Sequence, residues 1–235
     1  MFIQEKDYQI ITATSLFRNF HDSEIKGIIE HTSVDIINSR LCDVYTHLFK
    51  YSAIILEGTV DLIYLSPNGS ENLIMRLHSG NYIPKIIFEM HSGSLSVSVN
   101  SSKYNCRILL LDYEKINIFS SPSYNPDIIF KNSDSPIYIS TLAQLNYNII
   151  LVMKDFLSAF NQKIQLITQK NLRDKLYAYL NDLDEEKNIV TLPLNREELA
   201  NYIFADRSAV SREFSNMQND NLIKIHSSKI IEILQ

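Results

Sequence analysis

Cysteine is scarce in this sequence, with only Cys42 and Cys106 among 235 residues. Two thiols cannot build a disulfide framework, a four-thiolate zinc site or a four-cysteine iron–sulfur cluster within one chain. We expect both to be small buried hydrophobes, the usual environment of a free cysteine. The sequence therefore predicts no metal site and no cofactor.

Long apolar runs are also missing. A membrane-spanning helix needs about 18 or more consecutive apolar residues, and the longest candidate, residues 149–160, is interrupted by Lys154 and Asp155. The start of the chain, MFIQEKDYQI, lacks the basic and apolar regions of a signal peptide. These features predict a cytoplasmic protein that makes no membrane contact.

Glycine is rare too, with five residues against 33 isoleucines and 21 asparagines. AT-rich codon usage produces such a bias, which points to a low-GC bacterium. The hydrophobic share of 45% and the charged share of 21% are those of an ordinary globular protein, and the length favours two domains. The net charge of −5 excludes a uniformly basic nucleic-acid coat but not a local basic face.

The first half of the chain changes from a helical to a strand-like pattern. Apolar residues at helical spacing predict helices within residues 7–31, with Asp22 or Ser23 as the N-cap of the second. From about residue 33 to 120, short β-branched and aromatic runs predict a compact all-β domain. Turn-forming residues in 66-SPNGS-70 predict that the flanking strands pair as a hairpin.

Three prolines in residues 121–136 indicate a boundary, after which about 30 residues are predicted to form one helix. Its apolar residues recur at three- and four-residue steps, as in a helix–helix seam: Leu142, Ile149, Met153, Phe156, Phe160, Ile164 and Ile167. Leu145, Val152 and Leu157 widen this surface, and Asn146 could fix the register of a seam. A helix buried within one domain would show the same pattern.

The last 65 residues contain two short helices that follow each other closely. A helix over 171–184 begins at Asn171 and is followed by a short strand at 189–194. The two helices then span 195–203 and 206–220, with Asn195 and Asp206 as N-caps, and two β-type runs end the chain at 222–234. Helix, three-residue turn, helix and hairpin describe a winged helix-turn-helix.

The second of these helices divides into an apolar and a polar face. Val210, Phe214 and Met217 form the inward stripe, and the outward N-terminal half, where a recognition helix reaches base edges, carries Arg207, Ser208, Ser211 and Arg212. An arginine fork can donate two hydrogen bonds to guanine, and serine can bond a base or a phosphate. By residue type alone, the two arginines could equally be surface residues paired with Glu213 or Asp206.

The stretch 196-REELANYIFADRSAVSREFSNMQNDNLI-223 resembles the helix-turn-helix of the Crp/Fnr superfamily of bacterial transcription regulators. That family's pattern has a leading ELA, a three-residue turn and a helix of the form x-R-x-x-[VIL]-S-R. Residues 51–83 resemble the family's effector domain, a double-stranded β-helix, and the helix from about 137 to 167 takes the place of its dimerisation helix. The resemblance spans nearly the whole chain from about residue 15.

The resemblance implies roles for individual residues. Arg207, Ser208 and Arg212 match the family's base-contacting positions, and Ser211 matches a neighbouring position that contacts a base or a phosphate. Arg173, Lys224 and Lys229 could add contacts to the DNA backbone, or be ordinary solvated cations. From residue 161 onward, 10 lysines and arginines face 11 aspartates and glutamates, so we expect a modest phosphate contribution to affinity.

The effector domain departs from the family members that bind a cyclic nucleotide. Their cassette resembles G-E-x-x-L followed by R-[ST]-A, whereas this chain has Pro84-Lys85 in place of Gly-Glu and lacks the second run. Without a guanidinium fork or a backbone nest, a buried phosphate would have no charge partner. Glu89 and Arg107 do not match the cassette in spacing or context. Cyclic AMP is not the predicted effector; an unidentified small molecule, or no effector, remains open.

The sequence gives little support to the family's other sensing chemistries or to an enzymatic function. Haem could in principle bind His78, His91 or a cysteine, but a lone histidine in a β-domain is usually an ordinary polar residue. Cupin-type metal sites place two histidines close together on one strand, and no such pair occurs among His47, His78 and His91. No nucleophile or phosphate-loop motif is present, so no catalysis is predicted.

Together these features predict an α+β protein with an N-terminal double-stranded β-helix of the jelly-roll type (residues 1–135), a long dimerisation helix (136–168) and a C-terminal winged helix-turn-helix (169–235). The predicted function is that of a homodimeric regulator that reads a pseudo-palindromic operator in double-stranded DNA, with RNA polymerase as a further partner left open. The alternative is a protein-interaction module that has lost specific DNA recognition.

Overall fold

The computed structural model describes residues 3–38, 47–66, 69–89, 95–99, 106–112, 136–184 and 188–234, and gives the backbone alone for 31, 89, 95–99 and 136–142. Several predicted features lie outside the described residues: Pro67 and Asn68 of the hairpin turn, Cys42, His91, the boundary segment 121–135, and the side chains of Glu89 and Leu142.

The architecture mixes helices and sheets, which confirms the predicted α+β class. The helices are α1 (Glu5–Ala13), α2 (Asp22–Thr32), α3 (Ile86–Glu89), α4 (Pro136–Ile167), α5 (Leu172–Leu183), α6 (Arg196–Ile203) and α7 (Arg207–Asn219). The strands are β1 (Ser33–Asn38), β2 (Ser52–Glu57), β3 (Thr59–Leu65), β4 (Glu71–His78), β5 (Tyr82–Ile83), β6 (Leu95–Val99), β7 (Arg107–Leu111), β8 (Ile189–Thr191), β9 (Ile223–Ile225) and β10 (Ile230–Ile233).

The chain divides into two compact units. The first contains Met1–Leu62 and Arg76–Leu157, and the second contains Ile63–Met75 and Ser158–Gln235. The tip of the β3–β4 hairpin thus belongs to the same unit as the C-terminal helices. The helix α4 contributes to both units.

The predicted N-terminal helices are present, but the second is capped differently from expectation. Helix α2 begins at Asp22, so His21 occupies the N-cap and neither Asp22 nor Ser23 does. The Glu24 carboxylate accepts a hydrogen bond from the His21 backbone N–H at 2.8 Å. In a capping box, a glutamate at the third helical position accepts a hydrogen bond from the backbone N–H of the N-cap residue, as Glu24 does here.

The described strands of the β-rich region form two sheets. One has the strand order β1-β7-β2-β5 and the other β4-β3-β6. The continuous apolar run of β2 is buried on both faces, as such runs generally are. Strands β2 and β3 follow each other closely and are separated at Gly58 with φ of 86°. The predicted hairpin is confirmed, since β3 and β4 are neighbours in their sheet.

Two arginines of the first unit are bound by carboxylates of the same unit. The Arg107 guanidinium donates to both carboxylate oxygens of Asp7, at 2.8 and 2.9 Å, and Asp7 is fully buried. The Arg76 guanidinium donates in the same two-pronged way to Asp61, at 2.7 and 2.8 Å. The first pair ties helix α1 to strand β7, and the second joins β3 to β4.

Helix α4 is confirmed, but the predicted seam combines two different faces of it. Ile149 and Phe156 are buried within the chain together with Leu145 and Val152. Buried Asn148 is tied to the N-terminal segment, because its amide donates to the carbonyls of Leu16 and Arg18 at 2.9 and 2.8 Å. Ile149 and Phe156 are therefore core residues of this chain and do not belong to a seam.

A second apolar face of α4 is left on the surface, and we call it the α4 seam. Its members follow steps of four and three residues: Asn146, Ile150, Met153, Leu157, Phe160, Ile164 and Ile167. Ile150, Leu157 and Ile164 are 63%, 60% and 54% exposed, and the other four are partly exposed. A spacing of this kind is the pattern by which two helices pack along their length.

In the second unit, the described C-terminal elements form a winged helix-turn-helix. Helices α5, α6 and α7 enclose a common apolar core with the three-stranded sheet β8-β10-β9. The predicted hairpin at 222–234 is confirmed as β9 and β10, which pair with Ile231 opposite Ile225. The Asn171 side chain accepts from the Asp174 N–H at 2.9 Å and caps α5, as predicted.

A buried lysine joins three segments of this unit. The Lys163 side-chain nitrogen (Nζ) on α4 donates to the Leu73 carbonyl of β4 at 2.8 Å and to the Tyr202 carbonyl of α6. It also lies 3.1 Å from the centroid of the Tyr202 ring. Burial, assisted by the charge of Lys175, lowers the pKa of Lys163 to about 6.

Candidate nucleic-acid interface

Helix α6 begins at a fully formed capping box. The Asn195 side-chain oxygen accepts from the backbone N–H groups of Glu197 and Glu198, each at 3.0 Å. The Glu198 carboxylate in turn accepts from the Asn195 N–H at 2.8 Å. The predicted N-cap is confirmed, and the two glutamates lie where the helix dipole favours negative charge.

The turn between α6 and α7 is short and closely defined. Phe204 adopts the left-handed conformation with φ of 57°, which is uncommon for a non-glycine residue. The Ala205 N–H donates back to the Ala200 carbonyl at 2.9 Å and satisfies one of the last carbonyls of α6. This turn sets the direction in which α7 leaves.

Asp206 occupies the N-cap of α7, but its side chain makes no capping hydrogen bond. The prediction identified the position of the helix start correctly and was wrong about the interaction. The Asp206 side chain therefore accepts no hydrogen bond from the backbone N–H groups in the first turn of α7. Such amides are groups that an anion can bind at a helix N-terminus.

The inward face of α7 is the one predicted from its apolar residues. Val210, Phe214 and Met217 are buried in the core of the second unit. Arg196, the first residue of α6, lies over the Phe214 ring with its guanidinium carbon 3.7 Å from the ring centroid. Burial lowers the pKa of Arg196. These contacts fix one face of α7, so that its opposite face points outward.

The four predicted site residues all lie on this outward face, in the N-terminal half of α7. Arg207, Ser208, Ser211 and Arg212 are exposed. The Arg207 guanidinium is 69% exposed and lies 3.9 Å from the Glu197 carboxylate, a marginal ion pair. Among the residues that the structure describes, Arg212 has no hydrogen-bond or ion-pair partner. Neither arginine pairs with Glu213 or Asp206.

The additional cations considered from the sequence separate into two kinds. Lys224 and Lys229 are exposed on the wing, beside a His226–Glu232 contact of 2.8 Å. Arg173 is instead bound by two carboxylates, with Nε 2.5 Å from Glu213 and Nη1 2.7 Å from Asp220. Its sequence position at the start of α5 gave no sign of these partners, because Glu213 is 40 residues away.

The interface consists of polar side chains on a scaffold of packed helices. Within the described part of the chain, no group of three or more histidine, cysteine, aspartate or glutamate side chains is arranged to hold a metal ion. None of the described helices is long and apolar enough to span a bilayer. Arginine and serine side chains that project from one exposed helix can donate hydrogen bonds to base edges and phosphates.

Comparison with known proteins identifies the C-terminal region. Residues 174–235 match the family profile of the Crp-like helix-turn-helix domain. No curated protein sequence matches the chain significantly. The matched region begins within α5 and covers α6, α7 and the wing, so these elements are similar to the Crp-like helix-turn-helix domain.

Solved structures share the fold of nearly the whole chain. A CooA variant from Carboxydothermus hydrogenoformans superposes with a TM-score of 0.62 at 14% identity, covering 100% of this chain and 94% of that one. The c-di-GMP-responsive global regulator CLP of Xanthomonas campestris gives 0.57 at 15% identity, with 91% and 99% covered. A protein described as a Crp/Fnr-family transcriptional regulator from Eubacterium rectale gives 0.54 at 16% identity, with 95% of each chain covered. The chain therefore has the fold of the Crp/Fnr regulators.

Proposed function

We propose that this protein is a homodimeric, sequence-specific DNA-binding transcription regulator of the Crp/Fnr type. The observation that carries the proposal is the outward face of α7, where two exposed arginines and two exposed serines project from a helix whose other face is anchored in the core. A bidentate arginine contact to guanine contributes about 1–3 kcal/mol of discrimination. Arg207 and Arg212 are assigned this role, with Ser208 and Ser211 at bases or phosphates.

In this proposal residues 1–135 form an effector domain, 136–168 the dimerisation helix and 169–235 the DNA-binding domain. Two α7 helices about 34–36 Å apart would read successive major grooves of a pseudo-palindrome. The protein acts in the cytoplasm as a DNA reader and not as an enzyme. RNA polymerase is a further proposed partner, and the position of the operator relative to the promoter would test this.

The α4 seam is the surface that we assign to the dimer. Its three exposed members, Ile150, Leu157 and Ile164, are seven residues apart, so they lie on one stripe of the helix. Burying them against the same stripe of a second copy would remove apolar surface from water in a two-fold arrangement. The partly exposed Asn146 lies in the same stripe, where a polar group can fix the register of two helices.

Replacing Leu157 by aspartate tests this assignment. Two like charges would then meet across the two-fold axis, which costs several kcal/mol and weakens the dimer by more than about a hundredfold. Gln162→Asp is the matched control, because Gln162 is exposed on α4 outside the seam. Analytical ultracentrifugation should find a dimer for the wild type and for the control, and a monomer for Leu157→Asp. A Leu157→Asp variant that stays dimeric would refute the seam assignment.

We further propose that cyclic AMP does not control the protein. Of the arginines in the described part of the β-rich region, Arg76 and Arg107 already have carboxylate partners. The Lys85 backbone N–H donates to the Ser52 hydroxyl at 3.1 Å instead of facing an open site. Binding a cyclic phosphate at either arginine would require breaking a paired interaction, which costs free energy. The effector is an unidentified small molecule, or none is needed.

In vitro selection of randomised duplex DNA by the purified full-length protein tests the proposed function. With no ligand added, we expect enrichment of a pseudo-palindrome, and the same motif when cyclic AMP or c-di-GMP is present. A cyclic nucleotide that is required for enrichment would overturn the effector proposal alone. The interaction-module alternative predicts no enrichment and protein contacts that resist salt, whereas DNA binding weakens steeply as counterions are released.

A further inference from the structure

Arg173 stands out among the cations of the C-terminal unit because it joins two helices through a branched ionic contact. Its Nε lies 2.5 Å from a Glu213 carboxylate oxygen and its Nη1 lies 2.7 Å from an Asp220 oxygen. The second Glu213 oxygen accepts from the Asn216 side-chain amide at 3.1 Å. We call Arg173, Glu213 and Asp220 the α5–α7 clamp.

The clamp reaches α7 at two separated points. Glu213 lies in the middle of α7, directly after Arg212, and Asp220 is the residue that caps its C-terminus. Seven residues, or about two helical turns, separate the two acceptors. A contact at two points along a helix limits its rotation about its own axis as well as its tilt, whereas a single contact limits neither fully.

The apolar core fixes which face of α7 points inward, and the clamp adds contacts that carry direction. Val210, Phe214 and Met217 hold α7 through packing, which is largely non-directional. A guanidinium is planar and presents its donors in a fixed fork, so its hydrogen bonds to carboxylates carry direction. Because Glu213 follows Arg212 in the same helical turn, a rotation of α7 that stretches the clamp would also move the Arg212 side chain.

The charge of the clamp argues against a direct contact between Arg173 and DNA. One guanidinium faces two carboxylates, so the three side chains together carry a net negative charge. A DNA phosphate that approached Arg173 would have to displace a carboxylate and would meet the other one. The hydrogen bond that Arg173 donates to Glu213 is the main reason that the pKa of Arg173 is raised, and the cation is thus committed to its partners at α7.

We propose that Arg173 is a positioning residue for DNA reading, which sets the rotation of α7 through Glu213 and Asp220 and does not itself bind a phosphate. This inference rests on the proposed function. It replaces both roles that the sequence left open for Arg173, a contact to the DNA backbone or an ordinary solvated cation. It also adds Glu213, an acidic residue, to the groups on which operator affinity depends.

A simple charge effect and a positioning role predict opposite results when Glu213 is replaced. If Glu213 only carried a negative charge near DNA, replacing it by glutamine would raise affinity or leave it unchanged, because like-charge repulsion would fall. If Glu213 holds α7 through Arg173, the same substitution lowers affinity for the operator. Partly exposed ion pairs contribute little free energy, so we expect a loss of about two- to fivefold.

The experiment compares Arg173→Ala, Arg173→Lys, Glu213→Gln and the double variant Arg173→Ala/Glu213→Gln in the full-length protein. Affinity is measured by fluorescence anisotropy for the selected operator and for an unrelated duplex, each over a range of salt concentrations. Asp174→Asn is the matched control, since it removes an exposed carboxylate beside Arg173 that has no described partner on α7. Thermal melting of each variant checks that the fold is retained.

The positioning role predicts a two- to fivefold loss of operator affinity for Arg173→Ala, Arg173→Lys and Glu213→Gln, with unrelated DNA bound as by the wild type. The double variant should be no weaker than the weaker single variant, because both remove the same contact. The slope of log affinity against log salt should stay constant, and Asp174→Asn should behave as the wild type.

Several results would overturn the inference. A phosphate contact by Arg173 predicts that Arg173→Ala weakens both duplexes and lowers the salt slope by about 0.9, while Glu213→Gln strengthens binding. Unchanged operator affinity in both single variants would also reject the positioning role while leaving the proposed function intact. If the wild type selects no operator, the proposed function fails, and the positioning role fails with it.

Discussion

The arginines on the described strands of the first unit and those on the outward face of α7 in the second unit differ in how they are paired. In the first unit, Arg76 and Arg107 are each held by both oxygens of a carboxylate from the same unit. On the outward face of α7 in the second unit, Arg207 has only a marginal pair at 3.9 Å and Arg212 has no partner within the described residues. A guanidinium that is satisfied within the chain stabilises the fold, whereas one left exposed is available to a ligand.

The comparison also explains why net charge is a poor guide to function here. The region from residue 161 onward is not basic, with 10 cationic against 11 acidic residues. Its acidic residues are not distributed evenly, because Glu213 and Asp220 hold Arg173 while Arg212 is left free of them. What matters for binding an anion is which cations lack partners, and this depends on the fold.

The largest expected effect comes from removing a paired arginine of the first unit. Arg107→Ala leaves the fully buried Asp7 carboxylate without its cation, and breaking a buried pair in this way costs about 3–5 kcal/mol. Urea denaturation at neutral pH should therefore give a much lower free energy of unfolding for Arg107→Ala. The matched control, Arg18→Ala, removes an exposed arginine from the same unit and should change stability by no more than about 0.5 kcal/mol.

The stability of the protein at acid pH provides a second test of the Arg107–Asp7 pair. Burial raises the pKa of Asp7, but the hydrogen bonds and charge of Arg107 outweigh this and hold it below its ordinary value of 3.8. A depressed carboxyl pKa stabilises the folded state above the unfolded-state pKa, and that stabilisation is lost as pH falls through the folded-state value. Arg107→Ala should lose this acid-dependent component. An acid profile parallel to that of the wild type would contradict the role of the pair.

The next effect concerns Lys163 of the second unit, a buried lysine with no carboxylate partner among the described residues. The pKa of Lys163 is lowered to about 6, against an ordinary value of 10.5. Between these values the unfolded state binds a proton that the folded state lacks, so the free energy of unfolding rises with pH by up to about 1.4 kcal/mol per unit. From pH 7 to 9 the wild type should gain about 2–3 kcal/mol relative to Lys163→Met.

The slope with pH is the quantity to compare, because Lys163→Met also removes donors from the Leu73 and Tyr202 carbonyls and lowers stability at every pH. Lys170→Met, at an exposed position near the start of α5, should keep the wild-type slope. Lys175 and Tyr202, which lie near Lys163, remain in both proteins and do not enter the difference. Equal slopes for the wild type and Lys163→Met would show that the amine is charged in the folded protein.

Local sequence signals predicted much of the C-terminal domain. Asn171 and Asn195 cap α5 and α6 as expected, and the apolar stripe of α7 lies in the core. These features depend on residues a few positions apart, where one side chain and the nearest backbone amides decide the outcome. The outward orientation of the four predicted site residues follows from the same periodicity.

Predictions that depend on distant partners were less successful. The sequence placed Ile149 and Phe156 in the same seam as Ile164, because helical spacing does not reveal which face meets the chain's own core. Arg173 looked like a free cation, since its acceptor Glu213 is 40 residues away. Asp206 looked like a cap and makes no capping bond. In each case the missing information is tertiary.

The most direct test of the comparison is a parallel DNA selection with the wild type, Arg212→Ala and the control Arg18→Ala. We expect the wild type and the control to enrich the same pseudo-palindrome. Arg212→Ala should keep the wild-type melting temperature and lose about 1–3 kcal/mol of discrimination at one base pair in each half-site. If Arg212→Ala selects the same site with the same preference, Arg212 is not a residue that reads DNA.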